Sequence, residues 1–282
     1  MVDSNKKVKL LDPKNDYVFK KIFGEKGDED ILMSLINSIL KGNPVIKELE
    51  LLNTEYPKEG IENKGCHFDI LAKTDNGISI NIEMQYRKNR NLKDRIIYYS
   101  DRINVNEYKV GQQYGDRKII SIWVFAENFT DRKEAISEIF PCFKENKEDK
   151  WEVFTENKRI ILFELQKYKV DNENFRDILS GWVNFLQTPE ILDNDIIKPN
   201  NKELEKAIEK LEYISKNQQD KYIIDAFNDY ERDYYNDLNY EKQEGIKQGK
   251  EEIAKNMLKL NIDVNIISQS TGLDIEEIKN LL

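Results

Sequence analysis

Phe68-Asp69-Ile70-Leu71-Ala72-Lys73-Thr74-Asp75-Asn76-Gly77-Ile78-Ser79-Ile80-Asn81-Ile82-Glu83-Met84-Gln85 is the stretch that decides the fold. Two runs alternate apolar and polar residues around a turn cluster, the pattern of a β-hairpin. Strand side chains alternate sides, so Ile78, Ile80, Ile82 and Met84 share one face and Ser79, Asn81, Glu83 and Gln85 the other. In the first run Phe68, Ile70 and Ala72 belong to the apolar face, while His67, Asp69 and Leu71 look the other way. The turn selects the register. A two-residue Asn76-Gly77 loop would set Asp69 against Met84 and put an acid on the apolar face. A three-residue loop, Asp75-Asn76-Gly77 with Gly77 left-handed, pairs Thr74 with Ile78. It then pairs Ala72 with Ile80, Ile70 with Ile82 and Phe68 with Met84. On the polar face Asp69 meets Glu83, and His67 meets Gln85.

Like charges directly opposite destabilise a sheet. The Asp69–Glu83 pair therefore has two readings. One is a solvated polar face on an edge hairpin. The other is a pair of oxygen ligands, because Mg²⁺ is held by one or two carboxylates together with water and phosphate oxygens. The next segment, Tyr86-Arg87-Lys88-Asn89-Arg90-Asn91-Leu92-Lys93-Asp94-Arg95, carries five basic residues against one acid. A charge run of this kind is a solvated face or a phosphate-facing strip that positions a nucleic acid. Arg95 and Tyr99 are four apart and so neighbours on a helix. They either face a phosphate together, or Tyr99 enters the core while Arg95 pairs with a surface acid.

Working outward, Asp12 and Pro13 suit an N-cap and first helical residue, with Tyr17, Phe19, Ile22 and Phe23 as the apolar stripe and Gly24 as the stop. Asp16 in its first turns complements the helix dipole or serves the site. A second helix starts at Asp28 or Asp30, and Gly42 and Pro44 end it. Residues 46–53 read as a strand, and Lys64 ahead of the hairpin as solvated. A helix over about 92–114 is amphipathic through Leu92, Ile96, Tyr99 and Ile103. Ile119-Ile120-Ser121-Ile122-Trp123-Val124-Phe125 is apolar nearly throughout, as in a strand buried on both faces, and 160–165 reads similarly. Residues 140–154 read as a loop or irregular hairpin. Phe175, Ile178, Leu179, Trp182, Val183, Phe185 and Leu186 make another packed helix.

The fold class that follows is α/β, a mixed central sheet flanked by helices, with an all-helical C-terminal extension. Residues 1–195 form the sheet domain and 196–282 the extension. In the extension Ala207, Ile208 and Leu211 give one short apolar stripe, and Tyr222, Ile223, Ala226 and Phe227 another. Gly245 and Gly249 permit close helix approach, possible between subunits, or weaken an exposed helix. The end is a helical hairpin turning at Thr271-Gly272, with Asp274 and Glu277 as a capping pair. Asp274, Glu276 and Glu277 against Lys279 give its last helix the wrong charge for a phosphate backbone, which favours a packing or partner contact.

Composition bounds the function. The 282 residues carry a net charge of −9, which counts against a broadly basic nucleic-acid binder but not against a local basic strip. Two cysteines and one histidine give neither a disulfide framework nor a common zinc site. Cys66 and His67 are strand neighbours on opposite faces, so they make no nucleophile–base pair. There is no glycine loop of the P-loop kind. No apolar run spans a bilayer and no apolar signal segment opens the sequence, so a cytoplasmic location is expected.

Asp69, a hairpin, then Glu83-Met84-Gln85 resembles the core of the PD-(D/E)XK nuclease superfamily, and more narrowly its bacterial recombination-promoting nuclease and transposase family. Further matching pieces are Asp12-Pro13-Lys14-Asn15-Asp16-Tyr17-Val18-Phe19-Lys20-Lys21-Ile22-Phe23-Gly24, Arg95-Ile96-Ile97-Tyr98-Tyr99 and Thr271-Gly272-Leu273. The resemblance covers most of the chain. It implies a restriction-endonuclease-like fold and a Mg²⁺-dependent DNA endonuclease, with Mn²⁺ able to substitute. It implies Asp69, Glu83 and Gln85 as catalytic residues, and Asp69, Glu83, the Met84 carbonyl and Asp16 as metal ligands. Arg87, Lys88, Arg90, Arg95 and Tyr99 would contact substrate. DNA and a second copy of the chain are the expected partners, the latter through the helical extension. Gln85 stands where the superfamily places lysine, as in the resembling family, and brings no charge to a transition state. The rival expectation is a catalytically degenerate nuclease fold acting as an assembly module.

Overall fold

The computed structural model describes residues 9–56, 65–87, 91–107, 117–145, 150–170, 177–192 and 201–281. They form two compact units, dividing between Gln218 and Gln219. In the first, α1 (Asp16–Phe23) and α2 (Glu29–Leu40) precede β1 (Leu49–Leu51), β2 (Glu55–Tyr56), β3 (Cys66–His67), β4 (Ile70–Thr74) and β5 (Ser79–Gln85). Then come α3 (Leu92–Glu107), β6 (Ile119–Phe125), β7 (Ile136–Ile139), β8 (Cys142–Glu145), β9 (Lys150–Val153) and β10 (Lys158–Glu164). A 3₁₀ turn (Leu165–Lys167) leads to α4 (Ile178–Gln187), α5 (Pro189–Leu192) and α6 (Lys202–Lys216).

Six strands make one mixed sheet in the order β1-β4-β5-β6-β10-β7. β5, β6 and β10 run parallel at its centre, with β4 and β7 antiparallel to their neighbours. β6 is buried along its whole length, as its unbroken apolar sequence requires. The hairpin register is the one the three-residue loop dictates: Ile70 opposes Ile82, and Ala72 opposes Ile80. Gly77 takes φ +81°, a conformation open to glycine at little cost, and Thr74 N–H donates to the Ile78 carbonyl at 2.9 Å.

Helices cover both faces. α3 lies over one, packing Leu92 and Ile96 on Trp123, Phe125, Ile160 and Leu162, and Ile103 on Leu71 and Ile119. α1 and α2 pack with α4 and α6 in the helical layer of the other face. An aromatic cluster of Phe19, Phe23, Trp182 and Phe185, with ring centroids 4.8 to 6.3 Å apart, knits this layer. Each such pair contributes about 0.5–1.5 kcal/mol beyond its buried area. α1 comes down close to the sheet: a Cβ on Gly24 would stand 2.9 Å from the Lys20 carbonyl and 3.5 Å from Ile70 Cγ1.

Several expectations need correction. The first helix starts at Asp16 with Asn15 as its cap, whose side chain accepts from Tyr17 and Val18 N–H. Asp12 and Pro13 instead form a turn that donates Asn15 N–H to the Asp12 carbonyl. The 46–53 strand shrinks to three residues. The hairpin's first strand breaks at Phe68 and Asp69. β3 therefore pairs with β2, setting His67 opposite Glu55 rather than Gln85. Phe68 turns over to pack with Cys66, Leu71, Ile103 and Ile119 instead of with Ile70. Of the two readings of residues 140–154, the hairpin is the one found: β8 pairs antiparallel with β9. α6, read from sequence as part of the extension, packs on α1, α2 and α4 within the first unit.

The second unit holds α7 (Gln218–Lys259), α8 (Val264–Thr271) and α9 (Ile275–Lys279). Ala254, Ile267, Leu273 and Ile278 are its small buried core. Gly272 ends α8 in the left-handed conformation, and Asp274 with Glu277 forms the expected capping box. Tyr222, Ile223 and Ala226 do not make a buried stripe, since all three are exposed. Among the described residues no helix is long and apolar enough to cross a membrane.

Candidate active site

Alternation along β5 sends Ser79, Asn81 and Glu83 to the side covered by α3, and all three are buried. Glu83 keeps only 1% of its surface exposed, so the reading of a solvated polar face does not hold. Asn81 is fully buried two residues earlier on the same face, and neither of its amide atoms has a hydrogen-bond partner. Packing alone does not explain such residues, because burying polar groups without partners costs about 1–3 kcal/mol each.

The break before β4 builds the acid pair. The β4–β5 ladder ends at Ile70, one residue short of Asp69. Asp69 then locks to β5 through crossed side-chain bonds. Its N–H donates to Glu83 Oε1 at 3.2 Å, and its Oδ2 accepts from Met84 N–H at 3.0 Å. The expected Asp69–Glu83 neighbourhood thus forms without a ladder pair. An extended residue presents its N–H and C=O to the same side, so the Met84 carbonyl faces this edge as well.

Two cations flank the acids. Lys20 Nζ, from α1, lies 3.0 Å from Asp69 Oδ1. Arg95 Nη2, from α3, lies 3.7 Å from Glu83 Oε2. Arg95 is also stacked 4.8 Å from the centre of the Tyr99 ring and 5.7 Å from that of Trp123. The side chains of Lys20 and Arg95 are 35% and 40% exposed, but Asp69's is 11% and Glu83's 2%, so the acids are largely covered and solvent reaches the pair at its Asp69 edge. Burial first, and the Asp69 charge second, push the Glu83 carboxyl well above the usual carboxylate range, against the pull of Arg95, the Asp69 N–H and Lys20. Tyr99 is raised by burial, and its hydroxyl lies 3.4 Å from the His67 carbonyl.

The other anticipated residues are placed as follows. Gln85 turns its amide away, donating Nε2–H to the Arg87 carbonyl at 2.7 Å. Arg87 itself is exposed just past β5. Lys64, Lys88, Arg90 and Phe175 lie outside the described residues. Asp16 sits in the first turn of α1, but among the described residues no three acids, histidines or cysteines gather as a metal cluster, so it does not join Asp69 and Glu83 in one. His67 is not beside Gln85; its Nδ1 lies 3.7 Å from Glu55 Oε1. Lys20 was not anticipated. The one hint was Gly24, which ends α1 and lets it approach β4.

The donor set suits a hard divalent cation: two adjacent carboxylates, a backbone carbonyl on the same edge, and an acid whose negative form is under-compensated. The family model described as PD-(D/E)XK nuclease family transposase matches residues 13–241, from the turn before α1 to within α7. No curated protein and no solved structure matches the chain.

Proposed function

The chain belongs to the PD-(D/E)XK nuclease family transposases, and from that footing we propose that it is a Mg²⁺-dependent DNA endonuclease serving recombination, transposition or mobile-element defence. The observation that carries this reading is the interlocked Asp69–Glu83 pair flanked by Lys20 and Arg95. Asp69, Glu83 and the Met84 carbonyl would hold Mg²⁺, with Mn²⁺ as a substitute. Such an ion polarises a phosphate and lowers the pKa of a bound water. The chain's own residues set the geometry. Met84 N–H and Lys20 fix the Asp69 carboxylate, and the Asp69 N–H fixes Glu83. Arg95, set over the Tyr99 ring, presents a guanidinium to a phosphate oxygen. Arg87 sits where a DNA backbone would pass, and Gln85 shapes that loop through the Arg87 carbonyl. Lys88 and Arg90 extend the same basic segment in sequence.

Nicking of supercoiled plasmid with Mg²⁺ or Mn²⁺ tests the proposal. Wild type should nick, and Asp69→Ala should lose the activity while keeping its circular dichroism spectrum. A pure wild-type protein that nicks with neither metal would overturn the endonuclease reading in favour of the assembly module. An assembly role for the helical extension has separate support and is compatible with catalysis. Leu238, Ile246 and Ile253 recur at seven- or eight-residue spacing along α7 and are all exposed, as is Leu260 just past its end. We propose that they mediate homo-oligomerisation.

A further inference from the structure

The superfamily pattern asks for a lysine where this chain has Gln85, and the amide that stands there is uncharged and already bonded to Arg87. Resting on the endonuclease reading above, we propose that Lys20, delivered from α1, supplies the missing positive charge at the scissile phosphate. The placement has three supports. Of the lysines in the segment 12–24, Lys14 bonds to Asp12 and to the Leu186 carbonyl, and Lys21 pairs with Glu25. Lys20 reaches Asp69 instead. Its position follows from packing: Val18, Phe19, Ile22 and Phe23 bury one face of α1, and Gly24 lets the helix end settle against Ile70, next door to Asp69. Finally, Lys20 is about one-third exposed on the solvent side of the pair, so its flexible stem can follow a bound phosphate.

In the reaction a water oxygen bonds to phosphorus and the bond from phosphorus to the leaving sugar oxygen breaks. The water proton passes to solvent, and the leaving oxygen takes a proton from solvent. Lys20 transfers no proton. It stays charged and donates hydrogen bonds to the phosphate oxygen that gains negative charge, a charge-stabilising role. Arg95 lies on the opposite side, paired with Glu83, so the charge it presents to a phosphate adds to that of Lys20 and does not replace it.

The test compares wild type, Lys20→Met, Gln85→Lys and the double variant Lys20→Met/Gln85→Lys. It reads plasmid nicking at saturating Mn²⁺ and, separately, Mn²⁺ affinity by calorimetry without DNA. Lys20→Met should slow nicking about 10²-fold, the usual cost of one preorganised donor. Its Mn²⁺ affinity should hold or tighten, since a cation has been removed from beside Asp69. Restoring a lysine at position 85 in that background should recover most of the rate. A Lys20→Met protein that nicks at the wild-type rate overturns the proposal. So does weaker Mn²⁺ binding in Lys20→Met, which would make Lys20 merely a support for Asp69, and so does a folded double variant with no recovery. If wild type itself fails to nick, the endonuclease reading falls and this proposal falls with it; the other failures leave that reading standing.

Discussion

Glu83 is the residue at which stability and function pull apart. Its carboxyl is buried beside Asp69, and its pKa in the fold lies above the unfolded value of 4.5. The native state therefore binds this proton more tightly than the unfolded state does. The contribution to stability is full below pH 4.5 and is lost as pH rises through the raised folded value. Glu83→Gln keeps an oxygen to accept the Asp69 N–H and removes the charge. In the absence of divalent metal it should melt a few degrees above wild type at pH 8, on the order of 1–2 kcal/mol, with the difference vanishing near pH 4. Excess Mg²⁺ should reverse the order, because it stabilises only the protein that binds it. Calorimetric scans across pH with and without Mg²⁺ read both effects. At this scale the sequence was legible where alternation and turn chemistry agree: Gly77 set the loop length and the loop set Asp69 beside Glu83. It was blind to Lys20, because nothing local says which of several lysines on a short helix will face the sheet.

Elements follow the same division. β6 and α2 lie where their sequences put them, since a long apolar run and a 3.6-residue stripe each have one good solution. β7 was not legible as a strand, and β8 with β9 only as one of two readings, a loop or an irregular hairpin. They are short and largely exposed, so no burial pattern marks them. The break at Phe68-Asp69 was hidden for a different reason. An unbroken alternation continues through it, yet β3 peels off to pair with β2 and Phe68 finds aromatic partners in Tyr56 and Tyr99, at 5.2 and 5.1 Å. Tertiary packing overrode the local period. α7 carries the element-scale prediction. Its exposed Leu238, Ile246 and Ile253 repeat nearly every two turns, an apolar file that water disfavours. Sedimentation velocity should find wild type heavier than a single chain, and Ile246→Glu with Ile253→Glu should return it to a monomer. A wild-type monomer at all concentrations would refute the assembly role.

At the scale of the whole molecule, the proposed action on DNA requires a chain of net charge −9 to keep its positive charge local. The first unit does so by setting Lys20 and Arg95 on either side of two acids, from helices on opposite faces of the sheet. Nothing in its charge pattern marks α6 as part of this unit, because its surface is as charged as that of α7. Only its Leu204, Ala207 and Leu211 file, buried against the helical layer, separates the two. The proposed cleavage depends on one hard cation lying between Asp69 and Glu83. An anomalous difference map from crystals soaked in Mn²⁺ measures that directly. The expected result is a peak about 2.2 Å from carboxylate oxygens of both residues. Saturating Mn²⁺ with no peak there, or with peaks only elsewhere on the molecule, would contradict it.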